Sequence, residues 1–121
     1  MKNRQLGLRV LAVFLMASLS ACDQALEDTS SVNVTLPALD IKWDTSNIDA
    51  SVGQTITITI ANEGMLDHNL VIQDLSVDVD IAAGNTEEVT FMVSEAGTMV
   101  FMCNVPGHFE AGMAGTITVS E

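Results

Sequence analysis

An apolar/polar alternation of period two, recurring along nearly all of the chain after residue 31, constrains this sequence more than any other feature. Val32, Val34 and Leu36 alternate with Asn33 and Thr35, and Ile56, Ile58 and Ile60 alternate with Thr55, Thr57 and Thr59. Val77, Val79 and Ile81 alternate with Ser76, Asp78 and Asp80; Val89, Phe91 and Val93 with Glu88, Thr90 and Met92; Ile117 and Val119 with Thr116 and Thr118. Successive side chains of a strand point to opposite faces, so each run predicts a strand with one buried face and one wet face. Asn69 to Ile72 and Met99 to Cys103 are apolar on both sides and suit central strands. Gly53, Gly64, Gly84-Asn85, Gly97 and Pro106-Gly107 punctuate the runs as turns. Helical spacing is absent beyond the first 21 residues. The expectation is an all-β sandwich of two sheets, with seven to eight short strands.

The first 21 residues do not fit that pattern. Lys2, Arg4 and Arg9 occur there without an acid, followed by an apolar run from Val10 to Leu19. The run is too short to span a bilayer and has the length of a signal-peptide core. Leu19-Ser20-Ala21-Cys22 is similar to a bacterial lipobox, which implies cleavage before Cys22 and lipid attachment to it. Residues 1–21 therefore read as a lipoprotein-type signal peptide. Residues 22–31, short, polar and acidic, read as a lipid-anchored flexible tether. Residues 32–121 form one domain, since about 100 residues support a single core. The expected location is exported and lipid-anchored, periplasmic or on the outer face of the cell membrane.

Once the signal is removed, Lys42 is the only basic side chain against 16 acids, a net charge of −15. Such a surface repels nucleic acid and anionic headgroups, so no nucleic-acid partner is expected. It would attract a basic protein at low salt, or serve solubility alone.

Cysteine usage narrows the chemistry. With Cys22 lipidated, Cys103 stands alone in an exported protein, where an unpaired thiol is a liability unless it has a role such as metal ligation. His68 heads the Asn69–Ile72 strand. Cys103 ends the Met99–Cys103 strand, His108 lies five residues later and Met113 five beyond that. One loop thus delivers thiolate, imidazole and thioether, and a second loop can deliver the other imidazole. Two imidazoles, a thiolate and a weak axial thioether make up the ligand set of a blue-copper electron-transfer site. Structural zinc sites usually close with another cysteine or histidine instead. Asn69 is a candidate to hydrogen-bond across to the ligand loop, or only to its own backbone. Phe109, Met65, Leu66 and Pro106 are candidates for an apolar rim at an exposed edge of His108, and Trp43 reads as a core aromatic. No base-oriented nucleophile, phosphate loop or paired acid/base carboxylates stand out.

Cys103-Asn104-Val105-Pro106-Gly107-His108-Phe109-Glu110-Ala111-Gly112-Met113, Asn62-Glu63-Gly64, His68-Asn69-Leu70-Val71-Ile72 and Gly115-Thr116-Ile117-Thr118-Val119 resemble the cupredoxin family, specifically its small plastocyanin-, auracyanin- and halocyanin-like members. The loop spacing is closer to the auracyanin-like members than to plastocyanin. The resemblance implies a Greek-key β-sandwich holding one type 1 copper through His68, Cys103, His108 and Met113. It implies one-electron shuttling between larger redox proteins, with copper delivery through the same ligands as the alternative. The chain is then expected to be a monomer and not an enzyme, with membrane-associated, basic, cytochrome-like redox partners. It departs from the family in the short stretch from Gln73 to Asn85, in Asp67 before the first histidine, and in having no tyrosine for plastocyanin-type docking.

Overall fold

The computed structural model describes residues 30–121, so the expected signal segment, all of the tether but Ser30 and Ser31, and Cys22 lie outside the described residues. Nine strands follow: β1 (Ser31–Leu39), β2 (Lys42–Trp43), β3 (Asn47–Ser51), β4 (Thr55–Asn62), β5 (His68–Ile72), β6 (Val77–Ile81), β7 (Thr86–Met92), β8 (Gly97–Met102) and β9 (Ala114–Ser120). A single 3-10 turn, Gln73–Leu75, joins β5 to β6. The strands form a four-stranded sheet, β2-β1-β4-β7, and a five-stranded sheet, β3-β9-β8-β5-β6. The β1–β4 and β3–β9 pairs are parallel and the rest antiparallel. The architecture is the expected all-β sandwich, compatible with a Greek key.

There are nine strands where seven or eight were expected, because β2 and β3 carry too little pattern to be read. β2 has two residues. In β3 only Ile48 and Ala50 are buried, and the strand is defined by its partner: Asn47 Oδ1 accepts from the hydroxyls of Thr116 at 3.0 Å and Thr118 at 3.2 Å on β9. Tertiary pairing fixes such a strand, which its own apolar content would leave unspecified.

Elsewhere the alternation is realised directly. Ile56, Ile58 and Ile60 of β4 are completely buried, while the threonines between them are half-exposed. Thr57 and Thr90 share a hydroxyl hydrogen bond of 2.9 Å across β4 and β7 on the wet face. Burying one such isoleucine stabilises the fold by roughly 2 kcal/mol, so the three in β4 lock its register, since a one-residue slip would expose all of them. β5 is buried along its whole length, as a strand between two neighbours and under a second sheet should be. β8 is also central, but only its inner face is closed: Phe101 is buried while Val100 is 41% exposed. β8 is thus a central strand, as its apolar run implied, with its outer face open to solvent at Val100. β8 also ends at Met102, which leaves Cys103 just past the strand.

Phe101 and Trp43 meet edge-to-face in the core, ring centroids 6.2 Å apart. Gly115, paired with Phe101 across β8 and β9, must be glycine, because a Cβ there would overlap the Phe101 ring.

Candidate metal centre

Three of the four expected ligands converge at one end of the sandwich. His68 is the first residue of β5, Cys103 follows β8, and His108 lies in the loop between β8 and β9. The two Nδ1 atoms are 3.1 Å apart, and Cys103 Sγ is 3.8 Å from His68 Nδ1 and 3.4 Å from His108 Nδ1. All three residues are buried. Met113 is completely buried, and its backbone ties it to the other two loop residues: Cys103 N–H donates to its carbonyl at 3.0 Å, and its own N–H donates to the His108 carbonyl at 3.0 Å.

The loop is held from within by its backbone. His108 N–H donates to the Val105 carbonyl at 2.9 Å, Ala111 to Gly107 at 3.2 Å and Gly112 to Phe109 at 2.9 Å. Gly107 and Gly112 have φ of +88° and +97°, in the left-handed region open to glycine. Each immediately precedes a candidate ligand, so the two glycines turn His108 and Met113 inward.

The loop that brings His68 is built differently, from side chains. Asn62, buried at the end of β4, donates to the carbonyls of Leu66 at 2.8 Å and Ile81 at 3.0 Å and accepts from the Gly64 N–H at 3.1 Å. Asp40 accepts from the Met65 N–H at 2.9 Å, and Asp67 from the Ala83 N–H at 2.9 Å. Gly64 lets the Leu39–Asp40 turn approach, since a Cβ there would sit 3.0 Å from both backbones. The anchoring roles of Asn62, Asp40 and Asp67 were not read from the sequence. Asn62-Glu63-Gly64 was the one local signal, an amide placed to satisfy the turn that a glycine opens.

His68 is held below the ordinary imidazole range, chiefly by burial and further by the nearby His108; the Leu39 backbone, Asp40 and Asp67 oppose this. The ring is therefore neutral at pH 7, with a lone pair free for a metal. A metal on Nδ1 requires the proton on Nε2. That Nε2 is buried without a well-formed partner, although the Leu39 backbone lies near the ring.

The donor set fits a metal. Two imidazole nitrogens and a sulfur, the soft and borderline donors that copper takes, face one another in a buried pocket. A point equidistant from the three atoms lies about 2.0 Å from each, close to the 2.0–2.3 Å of metal–imidazole and metal–thiolate bonds. A buried His2Cys triangle beside a methionine is the signature of a mononuclear blue-copper centre, so the fold and the site together define a small copper protein.

Comparison with known proteins agrees. Residues 9–119 match the model of the cupredoxin-like domain, and the chain belongs to that family. Its cofactor is one copper ion. The copper-resistant cuproprotein CopI of Rubrivivax gelatinosus is 29% identical over 99 residues, covering 65% of this chain and 60% of that protein. Auracyanin-A of Chloroflexus aurantiacus is 26% identical over 112 residues, covering 67% of this chain and 68% of the relative. The structure of dithionite-reduced auracyanin from Roseiflexus castenholzii superposes with a TM-score of 0.67 at 24% identity, covering 74% of this chain and 98% of that one. The chain spans about three fifths of the CopI relative's length.

The remaining sequence candidates are also placed. Asn69 is buried and hydrogen-bonds to Asn104 of the ligand loop. Trp43 is buried, 6.2 Å from the His68 ring. Met65 is 87%, Phe109 48% and Leu66 41% exposed on the two ligand-bearing loops, and Pro106 is exposed as well. His108 itself is only 8% exposed against 2% for His68, so it is the more accessible imidazole but is not an open edge.

Proposed function

We propose that this protein is a one-electron carrier whose copper would be held by His68, Cys103, His108 and Met113. When bound, copper supplies a Cu(II)/Cu(I) couple. The protein's own contribution is rigidity. Ligands held by two hydrogen-bonded loops in a buried pocket move little between oxidation states, which keeps the reorganisation cost of electron transfer small. Methionine and thiolate favour Cu(I), while the imidazoles serve both states. The observation that carries the reading is the preassembled buried triangle of two Nδ1 atoms and Sγ.

His108 is the proposed conduit, being the more exposed imidazole and lying beside exposed Phe109 and Pro106. The acidic surface favours a basic, cytochrome-like redox partner. A monomer exported and tethered through lipid on Cys22 completes the proposal, which keeps the carrier close to membrane-associated donors and acceptors. With only two histidines in the chain, no imidazoles remain for the additional copper centres of a multicopper enzyme. Copper delivery is the second reading. It uses the same ligands and draws on the relative described as a copper-resistant cuproprotein.

Stopped-flow mixing with a basic cytochrome-like protein and with a copper(I) chelator separates the two. A carrier exchanges electrons quickly, more slowly as salt rises, and keeps its copper. Rapid metal loss to the chelator with slow electron exchange assigns it to delivery.

A further inference from the structure

The ligand loop has an anchor outside the loops themselves. Asn69 Nδ2 donates to Asn104 Oδ1 at 2.6 Å and to Asp78 Oδ1 at 3.2 Å, and Asn69 Oδ1 accepts from the Asn104 backbone N–H at 2.9 Å. Asn104 directly follows Cys103, and Asn69 directly follows His68. Every strong hydrogen-bonding site on the Asn69 amide nitrogen is thereby used, and each end of the chain has only one possible polarity. A backbone N–H can only donate, and an ionised carboxylate can only accept. Both ends demand the same orientation of the buried amide between them.

We propose that Asp78, on the edge strand β6, is a positioning residue for the Cys103–Met113 loop, acting through Asn69 on the Asn104 backbone. The proposal rests on the reading of this loop as the copper-ligand loop. Asp78 holds the second N–H of Asn69, so the amide cannot swing away from Asn104. The bond is charge-assisted, stronger than a neutral pair in the same place. Pairing with β5 fixes its position, since Val71 is the Cα partner of Asp78 and Asn69 that of Asp80. Asp80 is therefore a control supplied by the fold. It lies two residues away on the same strand face, opposite Asn69, with the same charge and exposure, yet the amide bonds to Asp78.

Amide hydrogen exchange of the full chain, metal-free and loaded with copper(I), tests the proposal in three variants. Asp78→Ala should speed exchange at the Asn104 N–H about tenfold in both forms, the scale of one ordinary net hydrogen bond. Asp78→Asn, which can still present a side-chain oxygen to Asn69, should restore it to within about twofold of wild type. Asp80→Ala should leave it unchanged. In oxidised copper protein, Asp78→Ala should also shift the visible band, and Asp80→Ala should not. Wild-type exchange in Asp78→Ala, failure of Asp78→Asn to restore it, or an equal effect from Asp80→Ala would overturn the proposal. If the wild-type chain takes up no copper, the carrier reading falls, while exchange in the metal-free protein still decides the role of Asp78.

Discussion

The two loops that deliver the histidines bury those side chains to a similar degree by different means. The Cys103–Met113 loop is closed by backbone hydrogen bonds and two glycines with positive φ. The segment from Asn62 to His68 is closed by the side chains of Asn62, Asp40 and Asp67 reaching backbone groups, with a backbone bond from the Glu63 N–H to the Ala38 carbonyl. A backbone-built loop depends on spacing and on where glycine falls. A side-chain-built loop depends on a few particular residues, one of them 22 positions upstream of Asn62. The first tolerates change at most positions between its ligands; the second has its point of failure at Asn62, which alone holds three backbone partners.

Substitutions can break or sharpen that contrast. The largest effect belongs to a ligand. Cys103→Ser should weaken copper binding by more than about a hundredfold, beyond what outer-shell partners reach, as read by competition with a chelator of known affinity. Asn62→Ala comes next. It leaves the Leu66 and Ile81 carbonyls and the Gly64 N–H without their partner, and should cost about 3 kcal/mol in denaturant unfolding. Copper dissociation should accelerate with it, because the His68 loop loosens.

In the other loop, Gly112→Ala should cost only about 1–2 kcal/mol. The space around it is open, so backbone conformation is all that is lost. If Gly112→Ala proves more damaging than Asn62→Ala, the contrast between the loops is wrong. Smallest is Asp40→Ala. It removes one exposed acceptor from the Met65 N–H and should cost less than about 1 kcal/mol, with the visible spectrum unchanged.

The same contrast explains what the sequence disclosed. The Cys103, His108 and Met113 spacing was legible because one loop carries all three residues, and His68 was legible because it heads an apolar strand. Strands with three or more alternating apolar residues, such as β4, were legible for the reason that makes them stable. β3 was hidden because Ile48 and Ala50 are too few to show a period. Its place is set by Thr116 and Thr118, about 70 residues away. The open outer face at Val100 was hidden too, since an apolar residue does not reveal whether anything will cover it. Asn62 could be noticed as part of a turn, but its three partners belong to a folded arrangement that local pattern does not encode. Asp78 is a further case. In the sequence it is one more acid in an alternating strand, and only the register of β5 against β6 sets it beside Asn69.

The central claim is that Cys103, His68 and His108 close on a single copper ion. The visible absorption of the full-length chain, followed while Cu(II) is titrated in, tests it most directly. An intense blue band should grow linearly, stop at one copper per chain and be absent from Cys103→Ala. Copper uptake without that band, or a band that survives in Cys103→Ala, would contradict the account.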